Sequence, residues 1–271
     1  MANLRSMQTL LIDGDGVLWH DDEPVPGLNP LFRVLDRRGI DWALLTNNAT
    51  RTAAHYVEKL NGFGIKAGIQ NVYTSTTVAA AYLRERFEPG TGMFIVGETG
   101  LAEALRGAGF DVFSGEQMPD KPIAAVVVAM DRQLTYAKLD VATHLIRSGA
   151  AFIGTNPDRT IPTPAGLSPG AGTMQAAVAA ATDVQPVILG KPEPAIFEAA
   201  MAHFDARKET TFMLGDRLET DILGAVRAGI GSILVLTGAS TREMIAERDY
   251  APDYVFPSIK ELAEELESYE D

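Results

Sequence analysis

Leu10-Leu11-Ile12-Asp13-Gly14-Asp15-Gly16 decides how this chain is read. Three consecutive apolar residues describe a short strand buried on both faces. The glycine-flanked carboxylates that follow put two acids on a tight turn at the strand's carboxyl end. In open α/β sheets that edge is where ligands bind. Two carboxylates held close have a chemical use, one as nucleophile and its neighbour as proton shuttle. An ordinary Asp/Gly turn has the same composition, so the run acquires meaning only from its surroundings.

Outward from this run, strand and helix alternate. Strands are expected at 9–12, 42–46, 72–74, 211–214 and 232–236, with helices at 30–38, 52–61, 76–86, 194–204 and 221–228. That alternation predicts a mainly parallel sheet with helices on both faces. A second αβ set fills the middle, with strands near 93–96, 124–129 and 151–153 and helices near 101–106, 136–148 and 173–181. Glu88-Pro89-Gly90-Thr91-Gly92 marks its start, and Gly190-Lys191-Pro192 the return. The expected division is a core made of 1–87 and 190–271, with 88–189 as an inserted domain. A last helix, 259–266, precedes an acidic tail expected to be solvated.

Composition bounds the chemistry. The 271 residues are 46% hydrophobic and 22% charged, which is ordinary for a globular protein. No apolar run approaches the ~20 residues that cross a bilayer, and residues 1–9 lack the apolar centre of a secretory signal. The absence of cysteine excludes disulfides and thiolate metal sites and fits a reducing cytoplasm. A net charge of −13 argues against a nucleic-acid backbone as partner. A small phosphorylated metabolite remains compatible, because a bound divalent cation reverses the local field.

Three further sites gain weight because each is expected to end a strand of one sheet. Thr46-Asn47-Asn48 offers a hydroxyl, backbone N–H groups and amides at a strand-to-helix junction, a suitable phosphate cradle. Alone, it reads equally as a helix cap. Lys191 follows the apolar run 187–189. Asp216 and Asp221 lie five apart in the loop that enters the helix after 211–214. Together these sites supply a nucleophile, a proton shuttle, oxyanion donors, a cation and metal ligands, the parts phosphoryl transfer needs.

On these residues the chain resembles the haloacid dehalogenase superfamily, in its NagD-like, nitrophenylphosphatase subfamily (subfamily IIA) with a type 2 cap. The matching stretches are Asp13-Gly14-Asp15-Gly16-Val17-Leu18-Trp19, Thr46-Asn47-Asn48, Gly190-Lys191-Pro192 and Gly215-Asp216 through Asp221, with Thr155-Asn156-Pro157-Asp158 similar to the subfamily's cap signature. Gly14 departs from the pattern, since relatives carry a larger apolar residue there; only its backbone N–H is expected to matter. Thr46 follows Asp13 by 33 residues, room for one crossover, whereas Lys191 follows Thr46 by 145. The cap therefore lies between the second and third motifs.

The resemblance implies a Rossmann-like α/β core and a magnesium-dependent phosphatase working through an aspartyl-phosphate on a small monoester, be it a sugar phosphate, a nucleoside monophosphate, phosphoglycolate or an aryl phosphate. In it, Asp13 attacks phosphorus, and Asp15 protonates the leaving alcohol and then deprotonates water. Gly14, Thr46, Asn47 and Asn48 hold phosphoryl oxygens, and Lys191 neutralises their charge and that of Asp13. Asp13, the Asp15 carbonyl and Asp216 hold Mg²⁺, supported by Asp221. Asn156, Asp158 and the rest of 156–168 contact the leaving group as the cap closes. The resemblance also admits a homodimer formed through the cap.

Other readings fit less well. A calcium loop needs oxygen at its fifth position and glycine at its sixth, where this chain has Val17 and Leu18. Gly170-Ala171-Gly172 has Gln175 where a dinucleotide loop needs its third glycine, and it is expected to follow a proline-rich loop. A cap hinge or a substrate-facing helix start suits it better. No Walker-type glycine loop occurs, and His20, His55, His144 and His203 lack metal-ligand spacing. A dehalogenase has no need of Asp15, and a transport ATPase needs membrane spans. A phosphomutase or a non-enzymatic phospho-acceptor stays open, and phosphate release separates both from a phosphatase.

Overall fold

The computed structural model describes residues 3–163 and 165–269. Glu270 and Asp271 of the acidic tail lie outside the described residues. The chain divides into two compact units, one of residues 1–46, 54–73 and 191–271, the other of 47–53 and 74–190.

The first unit holds a six-stranded sheet in the order Tyr254–Phe256, Gly231–Val235, Thr211–Gly215, Thr9–Ile12, Asp41–Thr46, Val72–Thr74. Thr9–Ile12 is central and wholly buried, and it pairs in parallel with both neighbours. Four residues with no exposed face is the expected signature of a strand covered on both sides. Helix Leu28–Arg37 buries Leu28, Leu31, Phe32, Val34 and Leu35, one apolar stripe of 3.6-residue period. Its Pro30 sits in the first turn, where a missing N–H removes no intrahelical bond.

The second unit is a five-stranded sheet ordered Val187–Ile188, Ala151–Gly154, Ile123–Val128, Gly92–Val96, Asp111–Phe113, with parallel pairings throughout. Its core gathers Phe94, Val126, Val128, Phe152, Met174 and Val178. An antiparallel hairpin, Thr160–Thr163 with Gly166–Pro169, precedes helix Ala171–Thr182.

Four expectations need correction. Residues 47–53 and 74–87 group with the second unit rather than the first. Thr74 caps helix Ser75–Arg84 by a reciprocal bond pair with Thr77, at 3.1 and 3.0 Å, and that helix packs on helix Thr99–Gly107. Val187–Ile188 belongs to the second sheet, paired to Ile153 and Gly154, so Lys191 does not end a strand of the sheet that carries Asp13. Gly170 follows a strand, not a loop. The helix expected at 221–228 begins with one wide π turn, Leu218–Ile222, and becomes α-helical only at Leu223–Ala228. Among the described residues, no helix is long and apolar enough to cross a membrane.

Candidate active site

Parallel pairing aligns the carboxyl ends of three strands in the first unit. Ile12 lies opposite both Leu44 and Leu214. Asp13, Thr46 and Asp216 therefore emerge at one edge, and the Asp13 N–H donates to the Leu214 carbonyl at 2.9 Å. Lys191 reaches the same place from the chain's return. Its side chain is 2% exposed, and its ammonium donates to Asp13 Oδ1 at 2.6 Å and to the Leu45 carbonyl at 3.0 Å. It also pairs with Asp221 Oδ1 at 2.7 Å. Three acceptors match the three protons of an ammonium. Burial alone would lower the Lys191 pKa, but the charges of Asp13 and Asp221 outweigh it and hold the value above the ordinary 10.5.

Asp216 and Asp221 are placed by the loop after Thr211–Gly215. The π turn carries Asp221 back so that its Oδ2 accepts from the Arg217 N–H at 3.0 Å. Such single wide turns recur at functional sites because they re-aim a side chain without ending the helix. Asp216 Oδ2 accepts from the Ala239 N–H at 2.6 Å. Its other oxygen, Oδ1, is buried with no hydrogen-bond partner among the described residues. One oxygen from each of Asp13, Asp216 and Asp221 lies within 4.8 Å of the others.

Were all three ionised, three carboxylates facing one ammonium would leave two negative charges without a counter-ion. Burial first, and then the charges of Asp13 and Asp221, push the Asp216 pKa from 3.8 up to about 8. Burial also raises that of Asp221, against the pull of Lys191. An unpartnered buried carboxylate oxygen, a deficit of two positive charges and an all-oxygen donor set fit a hard divalent cation. Asp221, expected as a supporting residue, contributes an oxygen to the cluster itself. The Asp15 carboxylate does not, so only the Asp15 carbonyl remains as its candidate metal donor.

Asp15 sits in a loop folded tightly on itself. The Gly14 carbonyl accepts from the N–H groups of Val17, Leu18 and Trp19 at 3.2, 2.8 and 3.3 Å. Gly16 has φ 86°, and a Cβ there would lie 2.7 Å from Asp216 Oδ2, so glycine serves both the turn and the close approach. The Asp15 side chain is exposed, and its Oδ1 accepts the Trp19 indole N–H at 2.9 Å.

In the second unit, Asn47 joins the cap signature. Its carbonyl accepts from Asn156 Nδ2 at 2.7 Å and from the Ser75 hydroxyl at 2.9 Å. Its amide nitrogen faces Asp158 Oδ2 at 3.3 Å. Asn156 is buried, and its Oδ1 accepts from the Asp158 N–H at 3.2 Å. Both ends of its amide are thus engaged in fixing the segment after Thr46. Exposed Asn48 accepts from Thr50, an Asx turn. Gly170 and Gly172 donate to the carbonyls of Arg159 and Asp158 at 2.8 Å each, which ties their helix to the same turn. Sequence reading missed Ser75, Ala239, the Leu45 carbonyl and the Trp19 N–H. None of the four carries a local signal, because each contact forms only in the folded chain.

A family model for haloacid dehalogenase-like hydrolases matches residues 10–111, and a second, HAD-like hydrolase model matches 188–262. The chain is 36% identical over 264 residues to an acid sugar phosphatase of Staphylococcus saprophyticus, covering 97% of this chain and all of the relative. The chain belongs to the haloacid dehalogenase superfamily. The crystal structure of a 4-nitrophenylphosphatase from Thermotoga maritima superposes with a TM-score of 0.88 at 34% identity, over 96% of this chain and 98% of that one. A glycerol phosphate phosphatase from Mycobacterium tuberculosis, solved with magnesium, superposes at 0.85 and 32% identity over 97% and 78%. Within the haloacid dehalogenase superfamily this chain is a phosphatase of the NagD-like, nitrophenylphosphatase subfamily, a phosphoric monoester hydrolase.

Proposed function

We propose that this phosphatase hydrolyses small phosphate monoesters, with sugar and aryl phosphates foremost, through an aspartyl-phosphate on Asp13. The observation that carries the proposal is the buried set of three carboxylates around one ammonium. Asp13 forms the new bond to phosphorus as the bond to the leaving oxygen breaks. The electron pair stays on that oxygen, which takes a proton from Asp15. Asp15, now a carboxylate, removes a proton from water as the water attacks phosphorus and releases Asp13. Thr46 and the backbone N–H groups of Gly14 and Asn47 hold phosphoryl oxygens, and Lys191 orients Asp13 through its Oδ1. Asp13, Asp216 and the Asp15 carbonyl, with Asp221 beside them, would hold magnesium, which would supply positive charge to the phosphoryl oxygens. Asn156 acts in this scheme by fixing Asn47.

Metal removal gives the direct test. Chelated protein is expected to lose phosphate release and regain it with magnesium; full activity in metal-free buffer would overturn the proposal. The same sample carries a stability signature. Asp216 has a folded value raised from 3.8 to about 8, so its contribution is fully present at low pH and is lost as pH rises through that window. The unfolding midpoint of metal-free protein is therefore expected to fall between pH 5 and pH 8, and magnesium is expected to remove the slope.

Asp15→Asn separates proton transfer from nucleophilic attack. A positioned acid/base contributes roughly 10²–10⁴-fold. The loss is expected in full for an alkyl phosphate and much reduced for nitrophenyl phosphate, whose leaving group needs little protonation. Equal losses would remove Asp15 from the acid role.

A further inference from the structure

We infer that Trp19 is the positioning residue for Asp15, and that Gly14 is glycine because the Trp19 ring occupies the space of a side chain there. The inference rests on the acid/base reading of Asp15 proposed above.

The geometry has three parts. The first is the contact itself, Trp19 Nε1 to Asp15 Oδ1 at 2.9 Å. An indole N–H only donates, so Oδ1 is held as an acceptor and Oδ2 is left as the oxygen that presents a proton to the leaving group. Asp15 is otherwise exposed, and an exposed carboxylate without this bond would sample several rotamers.

The second part is the rigidity of the indole. Trp19 is 1% exposed. Its ring stacks on Tyr56 with centroids 6.1 Å apart and planes 20° apart, and it meets Phe63 at 6.3 Å. The Lys59 ammonium lies 4.7 Å from the ring centroid, a cation–π contact. Lys59 is in turn held by the Asp21 carbonyl and by Asp22. The donor therefore arrives on a frame with little freedom left.

The third part is Gly14. A Cβ at this position would lie 2.4 Å from Trp19 Cζ2 and 2.9 Å from Cη2. No real Cβ contact is that short, so any larger residue displaces the ring and draws Nε1 away from Asp15. This gives a physical reason for glycine at position 14.

The test is a double-mutant cycle with two substrates. Trp19→Phe keeps an aromatic ring, smaller than the indole, and deletes the donor. It is expected to lower kcat for an alkyl phosphate roughly tenfold, the scale of one hydrogen bond to a charged group, with KM unchanged. The effect on nitrophenyl phosphate is expected to stay within about twofold. Gly14→Ala, which leaves both Trp19 and Asp15 in the sequence but also disturbs a backbone N–H that holds phosphoryl oxygens, is expected to lower the alkyl rate more than the nitrophenyl rate, by the same roughly tenfold ratio. In an Asp15→Asn background, Trp19→Phe is expected to cost nothing further, because residues acting through one another are non-additive. Equal losses on both substrates, or a loss that persists in the Asp15→Asn background, would overturn the positioning role and leave Trp19 as packing. Failure of the underlying reading looks different, since wild-type protein would then release no phosphate or Asp15→Asn would ignore the leaving group.

Discussion

Asp13→Asn is expected to bring phosphate release to background, a loss on the order of 10⁴-fold or more for removal of a nucleophile, while the metal-free protein becomes no less stable and melts higher at pH 8. Both halves follow from the same atoms. The amide cannot form an aspartyl-phosphate, but its oxygen still accepts from Lys191, which keeps Asp221 and the Leu45 carbonyl as further partners. What disappears is one of the charges that crowd Asp216, the largest influence on that carboxyl after burial itself. Activity and stability therefore move in opposite directions, as they do where an active site stores repulsion for function. Measuring initial rates and unfolding midpoints at pH 6 and pH 8, without metal and with magnesium, checks both. A variant that keeps turnover removes Asp13 as nucleophile. A variant that is strongly destabilised shows instead that the cluster serves mainly as structure.

How much of this was legible in sequence varies residue by residue. Asp13, Thr46 and Asp216 were found because each ends a strand whose apolar run needs no tertiary information to be recognised. Lys191 is legible from its neighbours, but the sheet to which its preceding strand belongs is not. Val187–Ile188 is two residues long and half covered, and nothing local says that it pairs with Ile153 and Gly154 rather than beside Thr9–Ile12. Pro162 and Pro169 argue against a central strand, so the local sequence points to a loop where the structure has the hairpin of Thr160–Thr163 and Gly166–Pro169. A two-stranded ribbon tolerates proline, since only one side of each strand is paired. The unit boundary was set at the glycine- and proline-rich run 88–92. The structure sets it at Thr74, where the capped helix begins and packs on helix Thr99–Gly107. Trp19 stood inside the quoted motif without a role, because its contact with Asp15 forms only after three N–H groups converge on the Gly14 carbonyl. Strand-end chemistry is thus readable from periodicity, and contacts made by closed loops are not.

Lys191→Met is expected to be the most damaging substitution to fold and turnover together. It deletes the only cation within bonding distance of Asp13 and Asp221 among the described residues and leaves three buried carboxylate oxygens within 4.8 Å of one another. Breaking a buried ion pair by removing one partner costs about 3–5 kcal/mol, and loss of a charge that faces the phosphoryl group costs on the order of 10²–10³ in kcat. Magnesium distinguishes this electrostatic account from lost packing. The Lys191 ammonium repels a divalent ion held by the same carboxylates, so its removal is expected to tighten magnesium binding and to enlarge the stability that the metal confers, while kcat stays low. Lys191→Arg completes the argument. A planar guanidinium keeps the charge but cannot aim donors at Asp13, Asp221 and the Leu45 carbonyl in an ammonium's geometry. That variant is expected to restore part of the stability and little of the turnover. Titrating magnesium against the unfolding midpoint of all three proteins, with kcat measured at saturating metal, decides the matter. Weaker magnesium binding in Lys191→Met would show that the lysine holds the site's shape rather than balancing its charge.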